Sequence, residues 1–296
     1  MDAGRGVHTR PVAASRATDP ARRYDPGMFA NPKLIPLCLC LLLAPVVAQK
    51  PAPAAPPPVD PALPDQCKEL KSLVADPKMT ADFQAIGLVQ KLVKDPEQRN
   101  PKDKERIAKA FGDVFTTGKL RPADKDALYR ETGDALGKLE ADGAKELAKV
   151  LGDARFKDLT SLRAHLILAL GKTKDEKQAD WLLDQTTRSP HDEIRAAAGE
   201  ALGNYKEADI KLRREVVKQL VREWGSLHSS ATTAAPTDPN VPIDPGPENA
   251  RRTLRAVEGK WNATLAALTS LSMTQFADWQ RWLNKNPGWT SGSKKP

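Results

Sequence analysis

Residues 192–205 read DEIRAAAGEALGNY. Ile194, Ala197, Ala198, Ala201 and Leu202 recur at i, i+3, i+4, i+7 and i+8, which is one face of a helix. Asp192 and Glu193 fall in the first turn, where the helix dipole favours acidic groups, and Gly203 stands where a left-handed stop is expected. Side chains this small build little core alone; they let another helix backbone come close. The pattern also recurs. Thirty-two residues earlier the same face reads Leu162, His165, Leu166, Ala169 and Leu170, closed by Gly171. A further 34 residues back it reads Leu128, Glu131, Thr132, Ala135 and Leu136, closed by Gly137.

A second apolar helix follows each copy. Leu147, Val150 and Leu151 follow the first, and Ala179, Leu182, Leu183 and Thr186 the second. Ile210, Val217, Leu220, Val221 and Trp224 follow the third. Each unit is a helix–turn–helix of roughly 33 residues, a period at which such pairs bury their faces only by stacking on neighbours. An aromatic content of only 5% within 296 residues agrees with an all-α chain.

The run His191-Asp-Glu-Ile-Arg195-Ala-Ala-Ala-Gly-Glu-Ala201-Leu-Gly-Asn204 resembles the short bacterial HEAT-like repeat also found in phycobilisome lyases. Arg163 occupies the place of Arg195 one unit earlier, and Tyr129 departs from it two units earlier. Tetratricopeptide and ankyrin signatures are not matched. The resemblance covers 158–225 and, less fully, 123–157. It implies an α–α superhelix, a right-handed solenoid of HEAT/ARM type, with first helices on the convex side and second helices on the concave side.

The flanks divide as follows. Residues 1–48 form an N-terminal extension and signal peptide. In it Arg22, Arg23 and Lys33 precede the apolar run 34–44, and Val46-Val47-Ala48 offers a cleavage site. Met28 is an alternative start, giving a signal of about 28–48. The run falls short of the roughly 20 residues that a span requires, so cleavage is favoured over an anchor. Export to a periplasmic or extracellular location follows, leaving no membrane span after cleavage. Residues 49–66 are a proline-rich linker, 67–228 the HEAT-like repeats, 229–248 a second proline-rich loop, 249–285 C-terminal helices with a cap, and 286–296 a tail. Cys67 alone survives cleavage, so no internal disulfide forms. In 68–117 one apolar stripe carries Phe83, Ile86, Val89 and Val93, the other Ile107, Ala110, Phe111 and Val114. Ser272 and Gln275 match a capping box ahead of Phe276, Trp279 and Leu283, and a bend is possible at Gly259.

Catalytic constellations are thin. Gly171-Lys172-Thr173 lacks the first glycine of a phosphate loop and follows a helix, not a strand. The four histidines form no pair with ligand spacing, so neither metal nor cofactor is expected. Asn262-Ala263-Thr264 is a sequon inside a helix. The net charge of +8 includes six basic residues before position 49, and acidic residues interleave along the rest. That balance argues for solubility and against a nucleic-acid footprint. The resulting expectation is a non-enzymatic scaffold for protein–protein interaction. On the concave second helices that the resemblance implies, its partner, a protein or peptide of acidic character, would meet Trp181, Lys211, Arg214 and Lys218. The alternative is a helical-repeat enzyme or nucleic-acid module, resembling bilin lyases or DNA glycosylases. A basic stripe of Lys211, Arg213, Arg214, Lys218 and Arg222 is its best support, but Glu215 and Glu223 interrupt it.

Overall fold

A computed structural model describes residues 57–233 and 244–290. The segment expected to be a signal peptide and most of the first proline-rich segment lie outside these residues, as do the centre of the second and the last six positions. The described chain contains eleven α-helices and no strand. These are α1 (Leu63–Val74), α2 (Asp82–Leu92), α3 (Pro101–Thr116), α4 (Ala127–Leu136), α5 (Glu140–Gly152), α6 (Thr160–Lys172), α7 (Ala179–Arg188), α8 (Asp192–Ala201), α9 (Ile210–Ala231), α10 (Gly246–Thr269) and α11 (Phe276–Lys285). None is long and apolar enough to cross a membrane.

The three recurrent faces are α4, α6 and α8, and they stack in that order. The row begins with α2 and ends with α10. Across from it α1, α3 and α5 pack in succession, as do α7, α9 and α11. One continuous core of leucine, alanine, valine and aromatic side chains fills the space between.

The repeated glycines do a different job from the one the sequence suggests. Gly137 has φ −56°, and Gly118 is the only described glycine at positive φ, so none of the three closes its helix left-handed. They are contact points. A Cβ at Gly171 would lie 2.7 Å from the Ala201 carbonyl oxygen and 2.8 Å from its Cα, too close for any side chain. A Cβ at Gly137 would likewise stand 3.0 Å from the Ala169 carbonyl oxygen. A Cβ at Gly203 would stand 3.1 Å from Thr264 Oγ1 of α10, so α10 continues the row.

Four residues before each glycine, size alternates across the seam. Gly133 leaves room for Leu166, and Gly199 leaves room for the indole of Trp261. Between them Ile167 and Ala198 hold the corresponding positions, both fully buried. This pairing of small against large is how layers interdigitate at interior density.

Arginines tie the two rows. Arg195 Nε donates to the Thr186 carbonyl at 2.8 Å near the end of α7, and its terminal nitrogen meets Glu223 of α9 at 2.6 Å. Arg163 donates to the Leu151 carbonyl at the end of α5, 2.9 Å away. Tyr129, in the same slot, instead stacks on Phe115 with centroids 5.1 Å apart, and the Arg121 guanidinium lies over its ring, 5.3 Å from the centroid.

Several local expectations need correction. The N-terminal stretch makes three helices, and Phe83 is 85% exposed; the buried face of α2 is Ala85, Leu88, Val89 and Leu92. Helix α1 starts at Leu63, inside the expected linker, and α9 runs to Ala231, inside the expected loop. Helix α10 continues through Gly259. No capping box forms: α11 begins at Phe276, with Gln275 as an N-cap that makes no side-chain hydrogen bond. The expected tail contributes Trp289, which is 4% exposed.

Candidate binding groove

Helix α9 is long and two-sided. Asp209 caps it by accepting from the Lys211 backbone N–H at 2.6 Å. Val216, Val217, Leu220, Val221 and Trp224 face the core, while Lys211, Glu215, Lys218 and Arg222 are exposed. Helix α11 packs against it. Trp279 anchors α11, its indole N–H donating to Asn262 Oδ1 at 2.7 Å; the asparagine of the sequon is thus engaged within the fold. Phe276 wedges beside Gly225, where a Cβ would stand 2.9 Å from the ring, and its centroid lies 5.8 Å from Trp224 and 5.3 Å from His228.

The segment after α11 returns over α9 and is strapped there by arginine. Arg214 Nε donates to the Trp289 carbonyl at 2.7 Å and its terminal nitrogen to the Gly288 carbonyl at 2.8 Å. Arg213 is buried; it donates to the Leu268 carbonyl at 3.0 Å and lies 5.4 Å from the Trp289 ring centroid. Two adjacent arginines therefore secure one wall, one from within the core and one from its edge.

Between α9, α11 and this wall lies a groove of about 850 Å³. Lys211, Arg214, Lys218 and Arg222 set four cations along it against the single carboxylate of Glu215. Val221, Phe276, Leu283, Pro287 and Trp289 supply apolar surface, and Gln280 and Asn284 supply amides. Among the described residues, Lys211, Lys218 and Arg222 take part in no salt bridge. A site with this lining can neutralise anions while covering apolar groups.

Of the residues singled out from sequence, Lys211, Arg214 and Lys218 line this groove, with Arg214 committed to the wall. Trp181 does not line it; it is half-buried on α7. The apolar lining escaped sequence reading because Phe276 and Leu283 looked like cap residues and Trp289 lay in the assumed tail. An aromatic residue within a short polar terminus was the available signal.

A second cleft of about 670 Å³ lies over the ends of α4 and α6. Lys104, Lys138, Lys172 and Lys174 there face Glu97, Glu131, Asp134 and Glu140, so its charges balance. Asp134 accepts from Lys172 at 2.7 Å and contacts His165 Nε2 at 3.0 Å. Burial opposes its ionisation, but the Lys172 hydrogen bond and the charges of His165 and Lys172 hold it below the usual carboxylate range. Lys172 and Thr173 are occupied in ending α6, with the Thr173 hydroxyl donating to the Leu170 carbonyl at 2.6 Å. Cys67 is half-buried on α1, and burial pushes its thiol up, away from the reactive thiolate. The described residues contain no His, Cys, Asp and Glu grouping fit to hold a metal.

No family model, curated protein or solved structure matches this chain.

Proposed function

We propose that this protein is an exported, non-enzymatic HEAT-like scaffold. It binds an acidic protein segment in the groove between α9 and α11. The carrying observation is the excess of cations over carboxylates along a groove with apolar lining. The stacked α4, α6, α8 and α10, each meeting the next through a glycine, support a right-handed solenoid as the frame. In such a solenoid α9 is a second helix, so the groove opens on the concave side. Complementary charge supplies encounter rate and partner selection, and the apolar surface supplies affinity.

The test reverses Lys211, Lys218 and Arg222 to glutamate and leaves Arg214 intact, because Arg214 holds the wall. All three targets are exposed, so the thermal midpoint should barely move. Partners captured from an envelope fraction by the parent should be lost by the variant, and raised salt should weaken parent capture. Capture unchanged in both respects overturns the proposal.

A further inference from the structure

Resting on that reading, we infer that the occupant of the groove is an amphipathic helix with an acidic flank. Lys211, Lys218 and Arg222 stand at i, i+7 and i+11 on α9, a straight stripe about 16 Å long at 1.5 Å per residue. A straight row of charges on a helix is met along its whole length by another helix lying beside it, with acids at the same turn-by-turn spacing. An extended strand, advancing more than 3 Å per residue with alternating sides, does not keep that register.

The apolar groups lie beside the stripe, across the groove from it. Phe276 and Leu283 are seven residues apart on α11 and face the groove along that helix, and Trp289 and Pro287 close its end. An occupant must therefore present acids on one flank and apolar side chains on the adjoining one. This is the helix-in-groove mode, with anchors at i, i+3 or i+4, and i+7.

The sequence just after the wall carries no acid with which to serve as this occupant. The residues beyond Thr290 are Ser-Gly-Ser-Lys-Lys-Pro, and their two lysines add to the positive charge. A small anion would satisfy one or two of the cations, but not the length of the stripe together with its apolar side.

The probe is a labelled synthetic peptide of about 14 residues, long enough to span the stripe as a helix. Glutamates follow i, i+4, i+7 and i+11, and a leucine follows each of them. A second peptide has the same composition in an order that disperses both rows, and a third carries lysine for glutamate. Anisotropy titration against the full mature chain should show the striped acidic peptide binding at least about tenfold tighter than the dispersed one. The Lys218→Glu/Arg222→Glu variant should lose that peptide by about tenfold and gain the lysine version. Equal binding of striped and dispersed peptides overturns the helical occupant, as does binding insensitive to the charge reversal. If partner capture is still lost on charge reversal while the peptides are not distinguished, the scaffold reading stands and only the helical occupant falls. If capture is also unchanged, both fall.

Discussion

From α4 to α8 the helices meet through glycine and alanine, whereas from α9 to Trp289 they meet through tryptophan. In the first region Gly137, Gly171 and Gly133 remove side chains so that carbonyls and leucines of the next unit can seat directly. Every interior surface there has a neighbour on both sides. Among the described residues no further unit follows the second region, and Trp279, Trp282 and Trp289 fold over its end. Trp282 and Trp289 lie with centroids 5.7 Å apart, and the indole nitrogens of Trp224, Trp282 and Trp289 have no hydrogen-bond partner among the described residues. Large rings cover much area with few chain segments. The groove lies in this second region. A repeat interior is hard to turn into a binding site because its seams are already filled; the end of the stack is where surface remains available.

The sharpest way to break this contrast is at α10, where the two regions join. Trp261 is fully buried, and its indole fills the space left by Gly199 while donating to the Arg195 carbonyl at 3.3 Å. Trp261→Ala should destabilise by about 3–5 kcal/mol, the usual range for an emptied aromatic site. Urea unfolding checks it, and a loss below about 1 kcal/mol would mean that Gly199 and Trp261 do not interlock.

Overfilling a seam comes next. Ala201 is fully buried with its backbone against Gly171, so Ala201→Leu should cost about 1–3 kcal/mol. An unchanged thermal midpoint would show that α6 and α8 are not in close contact. Arg195→Met should cost less, about 1–2 kcal/mol. It removes hydrogen bonds to Thr186 and Glu223 while keeping most of the side-chain volume. A double-mutant cycle with Glu223→Gln should show coupling; strict additivity would mean that the pair does not tie the rows.

The seam was legible in sequence, because the spacing of Ala-Leu-Gly is periodic and helical faces follow from periodicity. The meaning of its glycines was not. A glycine after a helical run is compatible with a left-handed stop or with a close approach, and only the neighbouring helix of the row, 30 to 61 residues on, decides between them. Phe83 misled for a related reason: it continues an apolar stripe by spacing, yet α2 buries the side that carries Ala85, Leu88, Val89 and Leu92. In the groove, the basic stripe was visible because it sits on one helix. Its apolar side was hidden because Arg214 and Trp289 are 75 residues apart in sequence, and no local pattern links them.

The smallest effect is expected where the end meets the seam through charge. Asp192, at the start of α8, accepts from the Thr253 hydroxyl at 2.5 Å and from Arg252 Nε at 2.7 Å, both on α10. Burial disfavours its charge, but the hydrogen bonds from Thr253 and Arg252, with the charges of Arg252 and Arg195, outweigh that and hold the native carboxyl below the ordinary value of 3.8. A carboxyl depressed in the folded state stabilises it fully above the unfolded value, and that contribution disappears as pH falls through the native value. Arg252 is 62% exposed, so solvent screens the pair and the effect at neutral pH should stay below about 1 kcal/mol. Asp192→Asn should therefore be slightly less stable than the parent near neutral pH. The gap should narrow once the pH drops below about 4, where an unfolded carboxyl begins to protonate. Unfolding measured across that range is the check: a gap of constant size would mean that Asp192 holds α10 through shape alone, and that its charge contributes nothing to joining the cap to the seam.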